Sequence, residues 1–378
     1  MTPSLRIAID ARKLHDFGIG TYVRNLLAEL SRQDDGAAYV VLCQPGDVEF
    51  VRSLGSRFTA LIERARNYSV REQVSVPVAL WHSRVDLFHA PHYVVSPLTR
   101  CPYVVTIHDC IHLRFPQYLP SKAAHVYARM MMSVSARRAK RVLTVSQASK
   151  DDIVHYLRTP PEKVEVIYNA LDERLAEPPT ADEVSRVRER FLLTSPFILY
   201  AGNIKPHKNV DRLIEAYAIL CKRGIGDVKL LIIGDEISKY KHLRRLVHRF
   251  QLHQQVRFFG FVPDDTLAVL YRLATVFVFP SLYEGFGLPP LEAMAAGAPV
   301  ITSNVSSLPE VVGDAAVLID PMDPRAIADA MARVLTDDTL RAELIRRGHE
   351  RVKAFSWTRS VARVRQVYGE LTCKAAHA

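Results

Sequence analysis

The chain of 378 residues is poor in cysteine: Cys43, Cys101, Cys110, Cys221 and Cys373 are scattered, odd in number and form no C-x-x-C pair. That set fits a reducing compartment and argues against a disulfide framework or a zinc site. Cys101 and Cys110 read as ordinary strand-end thiols rather than a reactive pair. No apolar run reaches the roughly 18 residues needed to cross a bilayer. The start, MTPSLRIAID, lacks a basic n-region and an apolar h-region, so no signal peptide is expected. No short repeat or low-complexity tract is present. Acidic residues are in deficit, 40 against 50 basic ones, which leaves a net charge of +10. That balance favours anionic partners: nucleic acid, anionic lipid or phosphorylated substrates. The basic residues concentrate in ARRAKR (136–141) and KYKHLRRLVHR (239–249), for which solvated helix faces are the plainer reading.

What is there is regular. At roughly 100–200 residues per domain, the length suggests two domains. Hydrophobic residues make up 48% and charged residues 24%, ordinary for a protein with a substantial core. Short, continuously apolar runs alternate with helical patterns. In the first half the expected strands are 5–9, 39–43, 86–90, 103–108, 141–145 and 163–168. In the second they are 197–201, 228–234, 256–260, 276–280, 299–303 and 316–320. Continuous apolar character marks strands buried on both faces of a parallel sheet. Between 171 and 195 the alternation lapses into a charged, proline-containing linker with one peripheral helix. The last pattern, FSWTRSVARVRQVYGELT, is a lone terminal helix. Two such blocks imply two doubly wound parallel sheets, whose ligands bind at the carboxyl ends of the strands.

Four loops at such ends carry candidate chemistry. In FGIGTYVRNLL (17–27), Gly18 and Gly20 are expected in a loop before a helix, where backbone N–H groups can face an anion. Val23 stands where a dinucleotide fingerprint needs glycine, and a plain tight turn fits equally well. In VTIHDCIHLRFP (105–116), His108 and Asp109 end a buried strand, and the imidazole can act as a base or bond a hydroxyl. A histidine that only caps the strand end is the alternative, and His108, Asp109 and His112 make a poor metal set. In YAGNIKPHKNVDRLIEAY (200–217), Lys205 and Lys208 beside a helix start suit a diphosphate, although no P-loop motif is present. In GFVPDDTLAVLY (260–271), the aspartates read as a helix cap, and GFVP, with Val262, offers backbone groups to a flat ring.

The most informative stretch is EGFGLPPLE (284–292). Proline suits a first helical turn, so Pro289 or Pro290 is expected to open a helix that Gly297 ends. Glu284 then sits in the loop and Glu292 in the first turns. The N–H groups of Gly285, Phe286, Gly287 and Leu288 lie between two carboxylates. Carboxylates accept from polyol hydroxyls, and a helix N-terminus holds an anion. A sugar joined to a phosphate has both features. A glycosidase also uses two carboxylates but needs no phosphate site. Glu292 as an ordinary first-turn acid is the bland alternative.

With these motifs in place, the chain resembles the retaining glycosyltransferases of family 4, which have the GT-B fold. SLYEGFGLPPLEAMAAGAPVITSNVSSLPEVVGDAAVLIDP (281–321) matches the family's E-x7-E motif and its flanks. AGNIKPHKN matches its phosphate loop, FGIGTYVRNL and TIHD its N-terminal loop and crevice histidine, and FSWTRSV its returning helix. The resemblance implies two Rossmann-like domains facing across a crevice, 1–180 for the acceptor and 181–356 for the nucleotide sugar. Residues 357–378 would cross back to the first domain.

By the same resemblance, Glu284 bonds the donor sugar, Glu292 the ribose and Lys208 the diphosphate. Phe286, Gly287 and Leu288 give backbone contacts. Gly20 lies near the diphosphate, and His108 positions the reaction centre. Many members carry arginine where Asn203 stands here, and Lys205 is expected to supply that charge. The implied reaction transfers a hexose with retention, without a metal or other cofactor, the leaving phosphate deprotonating the acceptor. GNIKPHKN with LFHAPHYVVSP is most similar to bacterial mannosyltransferases that use GDP-mannose for surface polysaccharides. UDP-glucose, UDP-GlcNAc and dTDP-rhamnose are alternative donors.

The acceptor is expected to be a glycan or a lipid-linked sugar. The protein is expected in the cytoplasm, with an anionic membrane surface as a partner for segments 121–141 and 239–249. Rival readings are a non-catalytic nucleotide-sugar-binding subunit, whose motif glutamates would have no reason to persist, and an epimerase of the same fold. Nucleic-acid binding lacks any recognisable module.

Overall fold

The computed structural model describes residues 5–33, 36–171, 175, 177–225 and 227–373. It divides into two compact units, Met1–Ala170 with Ser356–Ala378, and Leu171–Phe355. The division thus falls after Ala170, before the expected boundary at 180. Residues 172–174 and 176 of the expected linker lie outside the described residues.

The first unit runs β1 (Arg6–Asp10), α1 (Phe17–Arg32), β2 (Ala38–Cys43), α2 (Val48–Ser53), β3 (Phe58–Ile62), α3 (Glu72–His82), β4 (Leu87–Ala90) and β5 (Tyr103–Thr106). It continues with α4 (Ile111–Arg114), α5 (Lys122–Arg138), β6 (Arg141–Thr144), α6 (Gln147–Leu157) and β7 (Val164–Val166). All seven strands are parallel, in the order β3-β2-β1-β4-β5-β6-β7. The order reverses between β1 and β4, where Ile7 lies opposite Leu87.

The second unit runs α7 (Ala181–Phe191), β8 (Phe197–Ala201), α8 (Val210–Lys222), β9 (Lys229–Ile233), α9 (Lys241–Arg249), β10 (Val256–Phe259), α10 (Asp264–Leu273) and β11 (Val276–Phe279). It ends with α11 (Leu288–Ala295), β12 (Val300–Ser303), α12 (Leu308–Val312), β13 (Ala316–Ile319), α13 (Pro324–Thr336) and α14 (Asp338–Val352). Its six parallel strands are ordered β10-β9-β8-β11-β12-β13, with the reversal between β8 and β11, where Leu199 pairs with Phe277. The last helix, α15 (Trp357–Cys373), belongs to the first unit.

The continuous apolar runs behave as expected: every residue of β4, β5, β8, β11 and β12 is buried. Each sheet is the middle layer of a core covered by helices. Three differences from the sequence expectation have physical causes. β3 was not expected. It is an edge strand, paired only with β2 and partly exposed, so its apolar pattern is diluted. α7 is not peripheral: Val187 and Phe191 are buried in the second core, and the Phe191 ring lies edge-on 4.7 Å from Phe259. The aspartates Asp264 and Asp265 do not cap α10. Pro263 takes the cap position and the two acids fill the first turn, where they complement the helix dipole.

Candidate active site

The second unit gathers most of the expected site residues around its switch point, the place where open α/β sheets bind ligands. The loop leaving β8 starts with Gly202 and Asn203 and tightens into a short 3-10 turn, Pro206–Lys208. Asn209 closes that turn in a left-handed conformation, φ 62°. Its buried amide donates to the carbonyls of Pro280 at 2.9 Å and Pro321 at 2.7 Å, tying three strand-end loops together. The His207 carbonyl receives Leu282 N–H at 2.7 Å and Ser281 Oγ at 3.0 Å, which fastens the loop after β11 to this one.

On that frame Lys208 meets Glu284. Its Nζ lies 2.6 Å from Oε1 and 2.8 Å from Oε2, with both side chains close to nine-tenths buried. The ammonium also stands 5.3 Å from the centre of the Phe279 ring. The Glu284 backbone is held from the other side. Ser306 Oγ accepts its N–H at 3.2 Å and donates to its carbonyl at 2.7 Å, and Ser307 Oγ donates to the same carbonyl at 3.0 Å. Ser306 does this at φ 58°, a conformation that costs a non-glycine residue energy and recurs at functional sites.

Beyond Glu284 the chain turns into α11. The helix begins at Leu288, with Gly287 as its cap at φ 106°, so the prolines occupy the second and third positions rather than the first. Proline has no N–H. Of the donors a helix start leaves open, only those of Gly287 and Leu288 remain, and they point where an anion is favoured. Phe286 is buried against Phe355, ring centres 5.5 Å apart, so only its backbone is on offer. Its carbonyl, 2.7 Å from Ser307 Oγ, shares that hydroxyl's one proton with the Glu284 carbonyl.

Glu292 lies farther along α11 and has its own partner, Tyr271 of α10, whose hydroxyl donates to Oε2 at 3.1 Å. Burial pushes the Glu292 carboxyl up to about 7, opposed by the Tyr271 bond and helped by the nearby charge of Asp264. Glu284 and Glu292 thus share one loop–helix junction but are held by different groups. Lys205 is exposed, and among the described residues no ion pair engages its side chain. Asn203 is partly buried with its Oδ1 unbonded. Val262 is a core residue, 5% exposed, so any contact it makes with a ligand comes from its backbone.

Three expected residues stand in the first unit. Gly18 and Gly20 are not in a loop: α1 already starts at Phe17, so both lie in its first turns. Gly20 is there for packing, since a Cβ would meet the Leu14 carbonyl oxygen at 2.4 Å, whereas Gly18 has open space around it. His108 follows β5. Its Nε2 bonds the Pro91 carbonyl at 3.0 Å, so Nε2 carries the proton and Nδ1 keeps a lone pair. Burial lowers its pKa below the usual histidine value, which suits a neutral acceptor of a hydroxyl proton.

Other groups gather in this unit that single-residue reading missed. Asp10, at the end of β1, accepts from Arg12 at 2.6 Å and from His92 at 3.1 Å, and Arg12 reaches Glu72 at 3.0 Å. Burial opposes the Asp10 charge, but Arg12 and His92 outweigh it and hold the carboxyl well below the usual range. Glu72 and His92 lie too far in sequence from Asp10 and Arg12 for any spacing rule to join them. Among the described residues no group of three or more His, Cys, Asp or Glu side chains is arranged to hold a metal ion.

The chain is similar to known proteins along most of its length. Residues 182–351 match the family "Glycosyl transferases group 1", and residues 18–175 match "Glycosyltransferase Family 4". O-antigen chain mannosyltransferase B of Escherichia coli is 35% identical over 272 residues, 72% of this chain and 71% of that protein. The serotype-specific mannosyltransferase WbdA of Escherichia coli is 32% identical over 277 residues, 71% of this chain but only 34% of the relative's length. Among solved structures, sucrose-phosphate synthase from Thermosynechococcus elongatus superposes with a TM-score of 0.79 at 24% identity, covering 98% of this chain and 100% of that one. The chain is an enzyme of the GT-B fold and belongs to glycosyltransferase family 4.

Proposed function

We propose that the protein transfers mannose from GDP-mannose, with retention of configuration and without a metal, to a glycan or lipid-linked acceptor in cell-surface polysaccharide synthesis. The observation that carries this reading is the Lys208–Glu284 pair at the switch point, beside the open N–H groups of Gly287 and Leu288. A bound donor would give both partners new work. Glu284 would accept from sugar hydroxyls, and Lys208 with the α11 start would offset the charge that builds on the departing diphosphate. Glu292, steadied by Tyr271, would accept from the ribose hydroxyls. Lys205, exposed on the same loop, would supply charge where Asn203 has none. His108, neutral and with Nδ1 open, would bond the donor sugar. The choice of mannose is supported by relatives named as mannosyltransferases.

Calorimetric titration with GDP-mannose, UDP-glucose, UDP-GlcNAc and dTDP-rhamnose in EDTA tests the reading. GDP-mannose should bind selectively. Lys208→Ala and Glu292→Ala should each weaken it about 10- to 100-fold, as expected for a lost charge-assisted bond of ~1.5–3 kcal/mol. Selective binding of another donor would replace mannose, and binding only after metal is added would remove the metal-free mechanism.

A further inference from the structure

Helix α3 turns an apolar ridge to solvent. Val70, just before it, is 85% exposed, and Val74, Val78 and Trp81 are 53%, 47% and 70% exposed. Their spacing of three and four residues sets them along one side of the helix. Val76 and Leu80, on the other side, are buried in the core. Helix α5 repeats the pattern: Val126 and Met130 are 63% and 52% exposed, while Ala128, Met131 and Met132 are buried. Both helices cover the same face of the first sheet, since Val76, Leu80, Met132 and Ala136 belong to one core cluster. One loop also ties them together: Val95 N–H donates to Ser135 Oγ of α5 at 3.2 Å, and Ser96 Oγ donates to the Gln73 carbonyl of α3 at 2.6 Å.

The charges around this ridge are mostly basic. From 63 to 86 the exposed charged residues are Arg64, Arg66, Arg71, Arg84 and one acid, Asp86, while Glu63 and Glu72 are buried. Helix α5 contains no acid and exposes Lys122, Arg129, Arg137 and Arg138. A second copy of the chain docked through the same face would set these cations against one another. Isolated valines, a methionine and a tryptophan ringed by arginine and lysine match the boundary between lipid headgroups and acyl chains.

We propose that α3 and α5 form a surface that docks on an anionic lipid bilayer, with Val74, Val78, Trp81 and Val126 entering the interface and the arginines meeting lipid phosphates. The ridge begins two residues after Tyr68, whose hydroxyl receives Lys13 of the loop after β1 at 2.9 Å. A lipid-borne acceptor would therefore arrive at the carboxyl end of the first sheet. Only that last consequence rests on the transferase reading; the docking does not.

Sedimentation of the full chain with phospholipid vesicles tests it. The protein should pellet with vesicles containing phosphatidylglycerol, not with phosphatidylcholine alone, and less as salt rises. Tryptophan emission should shift to the blue on binding, a signal from Trp81, because the second tryptophan, Trp357, is only 8% exposed. The triple variant Val74→Ser, Val78→Ser, Trp81→Ser should lose at least ~10-fold in partitioning. Arg71→Glu with Arg84→Glu should lose at least about fivefold for each charge. The pair Val126→Ser, Met130→Ser should weaken binding in the same direction, and unchanged circular dichroism and melting would show that each variant is folded. The proposal is overturned if the wild type stays in the supernatant with anionic vesicles, or if the folded serine variant pellets as well as the wild type. A wild-type dimer that ignores vesicles and dissociates in the serine variant would assign the ridge to self-association instead. Each of these outcomes leaves the donor titration untouched, so failure here and failure of the mannosyl reading are separable.

Discussion

At Glu292, burial pushes the carboxyl up to about 7, and the hydroxyl of Tyr271 only partly opposes it. Below the ordinary value near 4.5 both folded and unfolded chains hold the proton, and stability is unaffected. As pH rises from there to about 7, the unfolded chain releases it while the folded one keeps it, so stability is lost across that window. Glu292→Gln keeps the shape and removes the titration. Its stability relative to the wild type should therefore improve by about 1–3 kcal/mol between pH 4 and pH 8. Urea midpoints at the two pH values measure this, and an equal pH dependence in both proteins would contradict it. Glu284 and Lys208 were readable because they lie in short strand-end loops, and Glu292 because it follows Glu284 at a fixed spacing. Tyr271, Ser306 and Ser307 were not. They reach the site from α10 and from the loop after β12, and only the sheet order brings them there.

Among the elements, buried strands were the most legible, because a strand covered on both faces must be apolar throughout. The edge strand β3 and the start of α1 were harder. In α1 two glycines mimic a loop, and packing against the Leu14 carbonyl is what requires Gly20. The same kind of close approach fixes the loops at the second switch point. A Cβ at Gly234, after β9, would stand 2.1 Å from the carbonyl oxygen of Gly202, which opens the loop after β8. Gly234→Ala should force the two loops apart, cost about 1–3 kcal/mol of stability, and weaken donor binding along with it. Gly18→Ala, with open space around the glycine, is the matched control and should leave stability within about 0.5 kcal/mol or raise it slightly. Thermal melting of the pair, followed by titration with the donor, separates the two cases.

On the scale of the whole molecule, the first unit is completed by the last helix. Tyr22 of α1 meets the Trp357 ring with centres 6.0 Å apart, and Thr358 donates to Glu29 at 3.1 Å. Tyr368 lies 2.6 Å from Nδ1 of the fully buried His89, whose Nε2 is 2.8 Å from Thr106. Burial, helped by His108 and His92, lowers the His89 pKa to about 3. The unfolded chain takes up a proton near pH 6.5 that the folded chain refuses until about 3. Stability should then be present in full above pH 6.5 and fall as the pH drops toward 3. His89→Gln should be less stable at pH 7, because the bridge is altered, yet show a shallower loss between pH 6.5 and 4 in urea titrations. Equal slopes would show that His89 does not set the acid limit. The last helix was legible as a lone terminal helix; its destination came with the resemblance, and its partners are named only by the structure.

That return has a consequence for how the protein comes into being. The first domain is written in two pieces, with the whole of the second domain between them. A chain growing on the ribosome can complete its second domain before its first. Until α15 emerges, α1 and His89 wait without their cover, and a chain stopped before it would carry the entire EGFGLPPLE loop yet leave an open apolar face for chaperones and proteases to find.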